Sequence, residues 1–89
     1  MEVKRGNNCY YIGESENNYK GILEYQDFGD VRDAQHTIVK PEFGGQGLAG
    51  ELVKKLVEDA KKEGKKIKPT CSYVLKKLEG PEFDDLRVE

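Results

Sequence analysis

The chain has 89 residues and a formal net charge of −2, and its pI is near 5.5, which argues against bulk attraction to nucleic acid or to an anionic membrane surface. Charged and apolar residues each make up 36%, a polar balance, but the apolar residues are periodic, so the expectation is one small folded domain covering residues 1–89. The single histidine, His36, rules out a multi-histidine metal site, and the two cysteines, Cys9 and Cys71, lie too far apart for a metal spacing, so no metal is expected.

No apolar run approaches the ~18 residues of a membrane-spanning helix. Residues 1–5 lack the apolar segment of a secretory signal. The expectation is a cytoplasmic protein with reduced thiols. In chain order, Cys9, Tyr10, Tyr11 and Ile12 favour a strand, and residues 14–18 a turn. Residues 19–27, with Ile22, Leu23 and Tyr25, predict a second strand, and Phe28-Gly29-Asp30 a hairpin turn. Residues 31–40 predict a third strand, with Ala34, His36 and Ile38 on one face and Gln35, Thr37 and Val39 on the other. Pro41 ends it.

A helix is predicted from about Gly47 to Glu63. Ala49, Leu52, Val53, Leu56, Val57 and Ala60 form its apolar stripe, Glu51/Lys55 and Glu58/Lys62 have the spacing of stabilising pairs, and Gly64 closes it. Residues 65–70 predict a short fourth strand. A second helix follows, capped by Thr70 or Ser72, covering Tyr73, Val74, Leu75 and Leu78 and stopped by Gly80-Pro81. Residues 82–89 read as an acidic tail with Phe83 and Leu86 as apolar anchors. The predicted fold is α/β with a mixed sheet: an antiparallel meander followed by a β-α-β crossover, in the order β-β-β-α-β-α, whose right-handed crossover sets the last strand parallel to the third.

The most informative stretch is residues 41–50, where Gly44, Gly45 and Gly47 stand between a strand and a helix start. Early helix amides have no carbonyl partner within the helix and lie at its positive end, so such a turn holds anions, and glycines let a phosphate approach closely. It is not a Walker A loop, which ends in Gly-Lys-Ser/Thr, nor a dinucleotide Gly-x-Gly-x-x-Gly fingerprint. A plain flexible turn is the competing reading.

Residues 37–49, followed by Leu52 and Val53, resemble motif A of the GNAT superfamily of acyl-coenzyme-A-dependent N-acetyltransferases. That motif reads Gln/Arg-x-x-Gly-x-Gly/Ala after a strand ending in Val-x-Pro. Here Val39-Lys40-Pro41 supplies the strand end, Gly47 the glycine and Ala49 the Gly/Ala, while Gly44 departs from the Gln or Arg. With His36-Thr37 before and Lys68-Pro69-Thr70-Cys71-Ser72-Tyr73 after, the chain resembles a minimal single-domain branch of that superfamily. The resemblance implies that amides of Gly44, Gly45, Gln46, Gly47, Leu48, Ala49 and Gly50 hold the coenzyme A pyrophosphate. It also implies that the backbone of Ile38 and Val39 pairs with the pantetheine arm like an added strand, in a slot where the third and fourth strands splay apart.

Three side chains are candidates for chemistry. Cys71, beside a helix start, reads either as a reactive thiol or as a small buried hydrophobe, and a cysteine at this place is a feature of the branch it resembles. Tyr73 stands where GNAT enzymes often place a tyrosine that protonates the departing thiolate; otherwise it is a core aromatic. His36 reads as a general base for the acceptor ammonium or as a packed histidine, and it could meet Cys71 across adjacent parallel strands. Lysines 61, 62, 65, 66 and 68 read as a solvated helix end or as an attraction for the coenzyme's 3′-phosphate, and Glu82, Asp84 and Asp85 as a solvated tail or an attraction for a cationic amine.

The expected function is acetyl transfer from acetyl-coenzyme A to a primary amine, by direct attack or through Cys71 as an acyl carrier. GNAT domains usually carry helices between their first strands; only short turns fill that place here, so an open acceptor side and an extended or macromolecular amine are expected. An acyl-coenzyme A binding or sensing module without turnover is the alternative. No nucleic acid and no membrane partner is expected, and the sequence assigns no oligomeric state.

Overall fold

A computed structural model describes residues 2–88. Five strands, β1 Lys4–Gly6, β2 Cys9–Ser15, β3 Asn18–Phe28, β4 Val31–Val39 and β5 Lys66–Pro69, form one sheet in sequential order. The first four run antiparallel and β5 is parallel to β4. Helix α1, Leu48–Glu63, makes the crossover between β4 and β5, and α2, Ser72–Lys77, follows β5. The mixed sheet and the crossover are as expected, with Lys4–Gly6 added as a short edge strand that the polar N-terminal sequence does not advertise.

One apolar cluster joins the sheet to both helices. Tyr10, Ile12, Leu23, Tyr25 and Ala34 pack with Leu48, Leu52, Val53, Leu56 and Ala60 of α1, Ile67 of β5, Val74 of α2, and Leu78 and Leu86 beyond it. The odd-numbered residues of β3 therefore face the helices, while Ile22 and Glu24 face the other way. No helix among the described residues is long and apolar enough to cross a membrane. The tail is tied down: Phe83 and Leu86 pack on the core, and the Val88 amide donates to the Ile67 carbonyl at 2.8 Å.

The strand β4 carries a one-residue bulge. Glu24 pairs with His36 but Tyr25 pairs with Ala34, so Gln35 has no partner on β3. An extra residue reverses the side-chain alternation beyond it. Ala34 faces the helices, whereas His36 and Ile38 share the opposite, uncovered face with Glu24 and Ile22, which corrects the expectation that Ala34, His36 and Ile38 lie together. Thr37 and Val39 return to the helix side.

The expected Glu51–Lys55 and Glu58–Lys62 pairs are not among the ion pairs of the described residues; Lys55 turns to Asp59 at 3.3 Å instead. Asp59 belongs to a charged cluster at the C-terminal end of α1. Fully buried Arg32 grips Asp27 with two bonds of 2.8 and 3.1 Å, and donates to Glu63 at 2.7 Å and to the Tyr10 hydroxyl at 2.9 Å. Arg5 reaches Glu63 at 2.5 Å and Asp59 at 3.4 Å. The hydrogen bonds from Arg5 and Arg32 hold the Glu63 carboxyl at about 2, below its ordinary 4.5.

A folded-state pKa below the unfolded one contributes stability that is complete above the unfolded value and disappears as pH falls through the folded one. For Glu63 that window runs from about 4.5 down to about 2. Glu63→Gln should therefore have a lower urea midpoint than the wild type at pH 6, with the gap closing towards pH 2. A gap that is constant across this range would mean that Glu63 does not titrate as an ion-paired group.

Candidate active site

Pairing between β4 and β5 stops early. Val31, Arg32, Asp33 and Ala34 face Lys66, Ile67, Lys68 and Pro69, and the Cys71 amide makes a last bond to the Ala34 carbonyl at 2.8 Å. Pro69 has no amide to extend the ladder, and the chain then turns into α2. The rest of β4, residues 35–39, therefore lacks a neighbour on that side, and a slot opens between the two strands.

Backbone direction in the slot follows from the antiparallel ladder with β3. The Lys40 amide donates to the Lys20 carbonyl at 3.0 Å. Hydrogen-bonding direction alternates along a strand, so Ile38 also turns its amide and carbonyl to β3, and Thr37 and Val39 turn theirs to the slot. Of the two residues whose backbone is expected to face the slot, Val39 does and Ile38 does not, and the Ile38 side chain is exposed on the open face of the sheet.

Beyond β4, residues 41–43 form a 3-10 turn with Pro41 first. Gly45 and Gly47 then have φ of 80° and 78°, whereas Gly44 has φ of −63° and Gln46 is not among the positive-φ residues. Gly47 caps α1 without a side chain. Among the described residues the six amides of residues 45–50 have no protein acceptor, and the first amide to find one is that of Glu51, on the Gly47 carbonyl at 3.2 Å. Six unpaired amides at the positive end of a helix of 16 residues match an anion with several oxygens.

Cys71 caps α2, in place of the expected Thr70 or Ser72. Thr70 is committed elsewhere, its hydroxyl donating to Asp33. The Cys71 thiol donates to the Thr37 hydroxyl at 3.4 Å, across the mouth of the slot. Burial pushes the thiol up, but the Thr37 hydroxyl and the amides of Val74, Tyr73 and Thr37 outweigh it and leave the thiol below its ordinary value. Cys9, on the other face of the sheet, has the opposite balance: burial and the Glu16 carboxylate raise it.

A family profile described as GCN5-related N-acetyl-transferase matches residues 9–86. The chain belongs to the GCN5-related N-acetyltransferase family. A GCN5-like proposed N-acetyltransferase from Staphylococcus aureus, solved by NMR in solution, is 35% identical and superimposes with a TM-score of 0.79 over 98% of this chain and 87% of that one. The crystal structure of the ribosomal-protein-S18-alanine N-acetyltransferase from Escherichia coli shares the fold at 19% identity, with a TM-score of 0.56 over 67% of this chain and 39% of that one. No curated protein sequence matches the chain. Acetyl-coenzyme A is the co-substrate general to this family.

Within this N-acetyltransferase fold the predicted catalytic residues do not form one cluster. His36 is exposed on the open face, opposite Glu24, while Thr37 and Cys71 meet on the helix side. β5 ends before Cys71, and the bulge turns His36 away, so the expected His36–Cys71 contact across parallel strands does not form. Tyr73 is half-buried, with its hydroxyl 3.8 Å from where a Cβ on Gly50 would stand, at the first turn of α1. Sequence reasoning passed over Thr37, although it adjoins His36; only the bulge shows which way it points.

Four lysines of the basic cluster lie away from the glycine turn or are engaged elsewhere. Lys61 and Lys62 lie at the far end of α1, roughly 20 Å from the glycine turn at ~1.5 Å per residue, and Lys65 and Lys66 bond the carbonyls of Gly29 and Asp85. Among the described residues no group of three or more His, Cys, Asp or Glu side chains has metal-binding geometry.

Proposed function

We propose that this protein transfers the acetyl group of acetyl-coenzyme A to a primary amine. The observation that carries the reading is the run of six unpaired amides at residues 45–50 beside a strand gap whose free backbone belongs to Thr37 and Val39. Amides of Gly45, Gln46, Gly47, Leu48, Ala49 and Gly50 would receive the pyrophosphate, while the amide expected of Gly44 is taken by the Pro41 carbonyl at 3.1 Å. Thr37 and Val39 would pair with the amides of the pantetheine arm, which carries the thioester to the bulge.

In the direct route His36, on the open face, removes a proton from the acceptor ammonium. The amine lone pair then attacks the thioester carbonyl, the C–S bond breaks, and the coenzyme thiolate takes a proton from Tyr73. In the two-step route the Cys71 thiolate attacks first, the acetyl group forms a thioester on Sγ as the coenzyme thiolate leaves, and the amine then displaces Sγ. The lowered thiol pKa favours the two-step route. A cytoplasmic location suits a thiol that must stay reduced.

Nothing in the described chain walls off the face that carries His36: β2, β3 and β4 are joined by short turns. This supports an extended or macromolecular acceptor. One fold neighbour, by its description, acts on an alanine of a ribosomal protein. The same openness, together with Gly44 in place of a Gln or Arg, favours the second reading, an acyl-coenzyme A binding module without turnover.

Mass spectrometry of acetyl-coenzyme A incubated with small amines and lysine peptides separates the two: acetylated product at catalytic ratio supports the enzyme, and stoichiometric binding with no product supports the binding module. Cys71→Ala should keep coenzyme A affinity within about twofold and lower turnover by at least about tenfold, on the scale of a positioned catalytic group. Unchanged turnover would reduce Cys71 to packing.

A further inference from the structure

Among the described residues, the buried charged side chains are Arg32, Asp33 and Asp59. Arg32 and Asp59 belong to the cluster at the end of α1, but Asp33 forms no ion pair among the described residues. Its two oxygens are shared between two segments instead. Oδ1 accepts from the Thr70 hydroxyl, and Oδ2 accepts from the Gln35 side-chain amide at 3.3 Å. The same amide reaches Gln26 Oε1 on β3 at 3.4 Å. Thr70 is the residue before Cys71, and Gln35 is the extra residue of the bulge. One buried carboxylate therefore holds both sides of the point where the slot opens.

We propose that Asp33 is a positioning residue that sets the Cys71 thiol against the Thr37 hydroxyl, acting through Thr70 on one side and Gln35 on the other. The inference rests on the reading of Cys71 as a reacting group and extends it. Pro69 ends the β5 ladder, and beyond it the Cys71 amide alone joins the α2 entry to the backbone of β4, at the Ala34 carbonyl. A single bond leaves the segment free to turn about it. Asp33 lies on the open face of the sheet, one residue before Ala34 on the helix side. Pinning Thr70 to Asp33 on the open face directs the next side chain, Cys71, to the helix side, where Thr37 stands. The Gln35 bond holds the bulge, and the bulge is what turns Thr37 to that side. A carboxylate suits the task, since hydrogen bonds to an ionised acceptor are the stronger ones. Asp33 thus fixes both members of the Cys71–Thr37 pair without touching either.

Alkylation by iodoacetamide across a range of pH, followed on the Cys71 and Cys9 peptides by mass spectrometry, tests this on the protein alone. Thr70→Val keeps the shape and removes the hydroxyl, Gln35→Ala removes the second arm, and Thr70→Ser keeps the donor. In Thr70→Val and Gln35→Ala the Cys71 midpoint should rise towards that of an ordinary thiol. The Cys71 rate at pH 7 should fall about fivefold, one hydrogen bond's worth. Thr70→Ser should match the wild type. Buried Cys9 should stay slow in every variant, which shows the fold intact. Turnover of acetyl-coenzyme A with lysine peptides should fall in step with the Cys71 rate. A Cys71 midpoint unchanged in Thr70→Val, a midpoint that Thr70→Ser also raises, or a fast Cys9 in these variants overturns the positioning role. A midpoint that moves while turnover does not supports the positioning of the thiol and removes Cys71 from the transfer. Absence of product from the wild type overturns the transferase reading alone, because alkylation needs no coenzyme.

Discussion

Gly47→Val should lower coenzyme A affinity by about 100-fold, while Gly64→Val, at the other end of the same helix, should leave it unchanged. Both glycines are left-handed, with φ of 78° and 69°, and both would direct a Cβ into open space. A side chain at either position thus costs the same ~1–2 kcal/mol of backbone strain and should lower stability alike. The difference lies in what each glycine positions. Gly64 only directs its amide back to the Ala60 and Lys61 carbonyls. Gly47 sets the direction of its own amide and its neighbours' in the unpaired run.

Relief of the strain at residue 47 turns those amides away from the anion. Losing two bonds to a charged group, worth ~1.5–3 kcal/mol each and partly replaced by water, gives a net of about 3 kcal/mol, or roughly 100-fold. Titration of both variants with coenzyme A, at a temperature where circular dichroism shows both folded, provides the measurement. Equal dissociation constants for the two would remove the glycine turn from the binding site.

Arg32→Met should destabilise the fold by about 3 kcal/mol, the scale of breaking a buried ion pair from one side. Arg32 is fully buried and donates to Asp27, Glu63 and the Tyr10 hydroxyl, with its guanidinium carbon 4.6 Å from the centre of the Tyr25 ring. Methionine fills much of the volume but leaves the Tyr10 hydroxyl without its donor, Asp27 without its two-bonded partner and Glu63 with Arg5 alone. The loss should appear as a lower urea midpoint with an unchanged slope.

Arg32→Lys keeps the charge but not the planar fork, and should recover only part of the loss. Adding Asp27→Asn to Arg32→Met should also recover part of it, because Asp27 then keeps only Lys65, at 3.8 Å, as a cationic neighbour among the described residues. A loss below about 1 kcal/mol for Arg32→Met would class the cluster with ordinary surface pairs.

Nothing in the local sequence marks Arg32 as buried: it sits in Val31-Arg32-Asp33, a polar strand start. Its burial depends on Glu63, which is distant in sequence and arrives only when α1 crosses back over the sheet. The glycine turn was legible for the opposite reason. Gly45 and Gly47 need a backbone conformation that few residues adopt, Pro41 stops a strand, and the stripe beginning at Ala49 starts a helix, all within one short segment.

What the amino-acid sequence by itself determined is most of the elements and the position of the glycine turn with its unpaired amides, because helix periodicity, capping and glycine conformations are local properties. The five-stranded mixed sheet and its crossover follow from them with one short edge strand added. The tertiary structure alone decided which face each β4 residue presents. One extra residue, Gln35, reverses the alternation, and a bulge is recognised only against the partner strand. That residue sends His36 to the open face, brings Thr37 to Cys71 and turns the backbone of Val39 to the slot. The chemistry of the site is therefore set by strand pairing, which no short stretch of the chain contains.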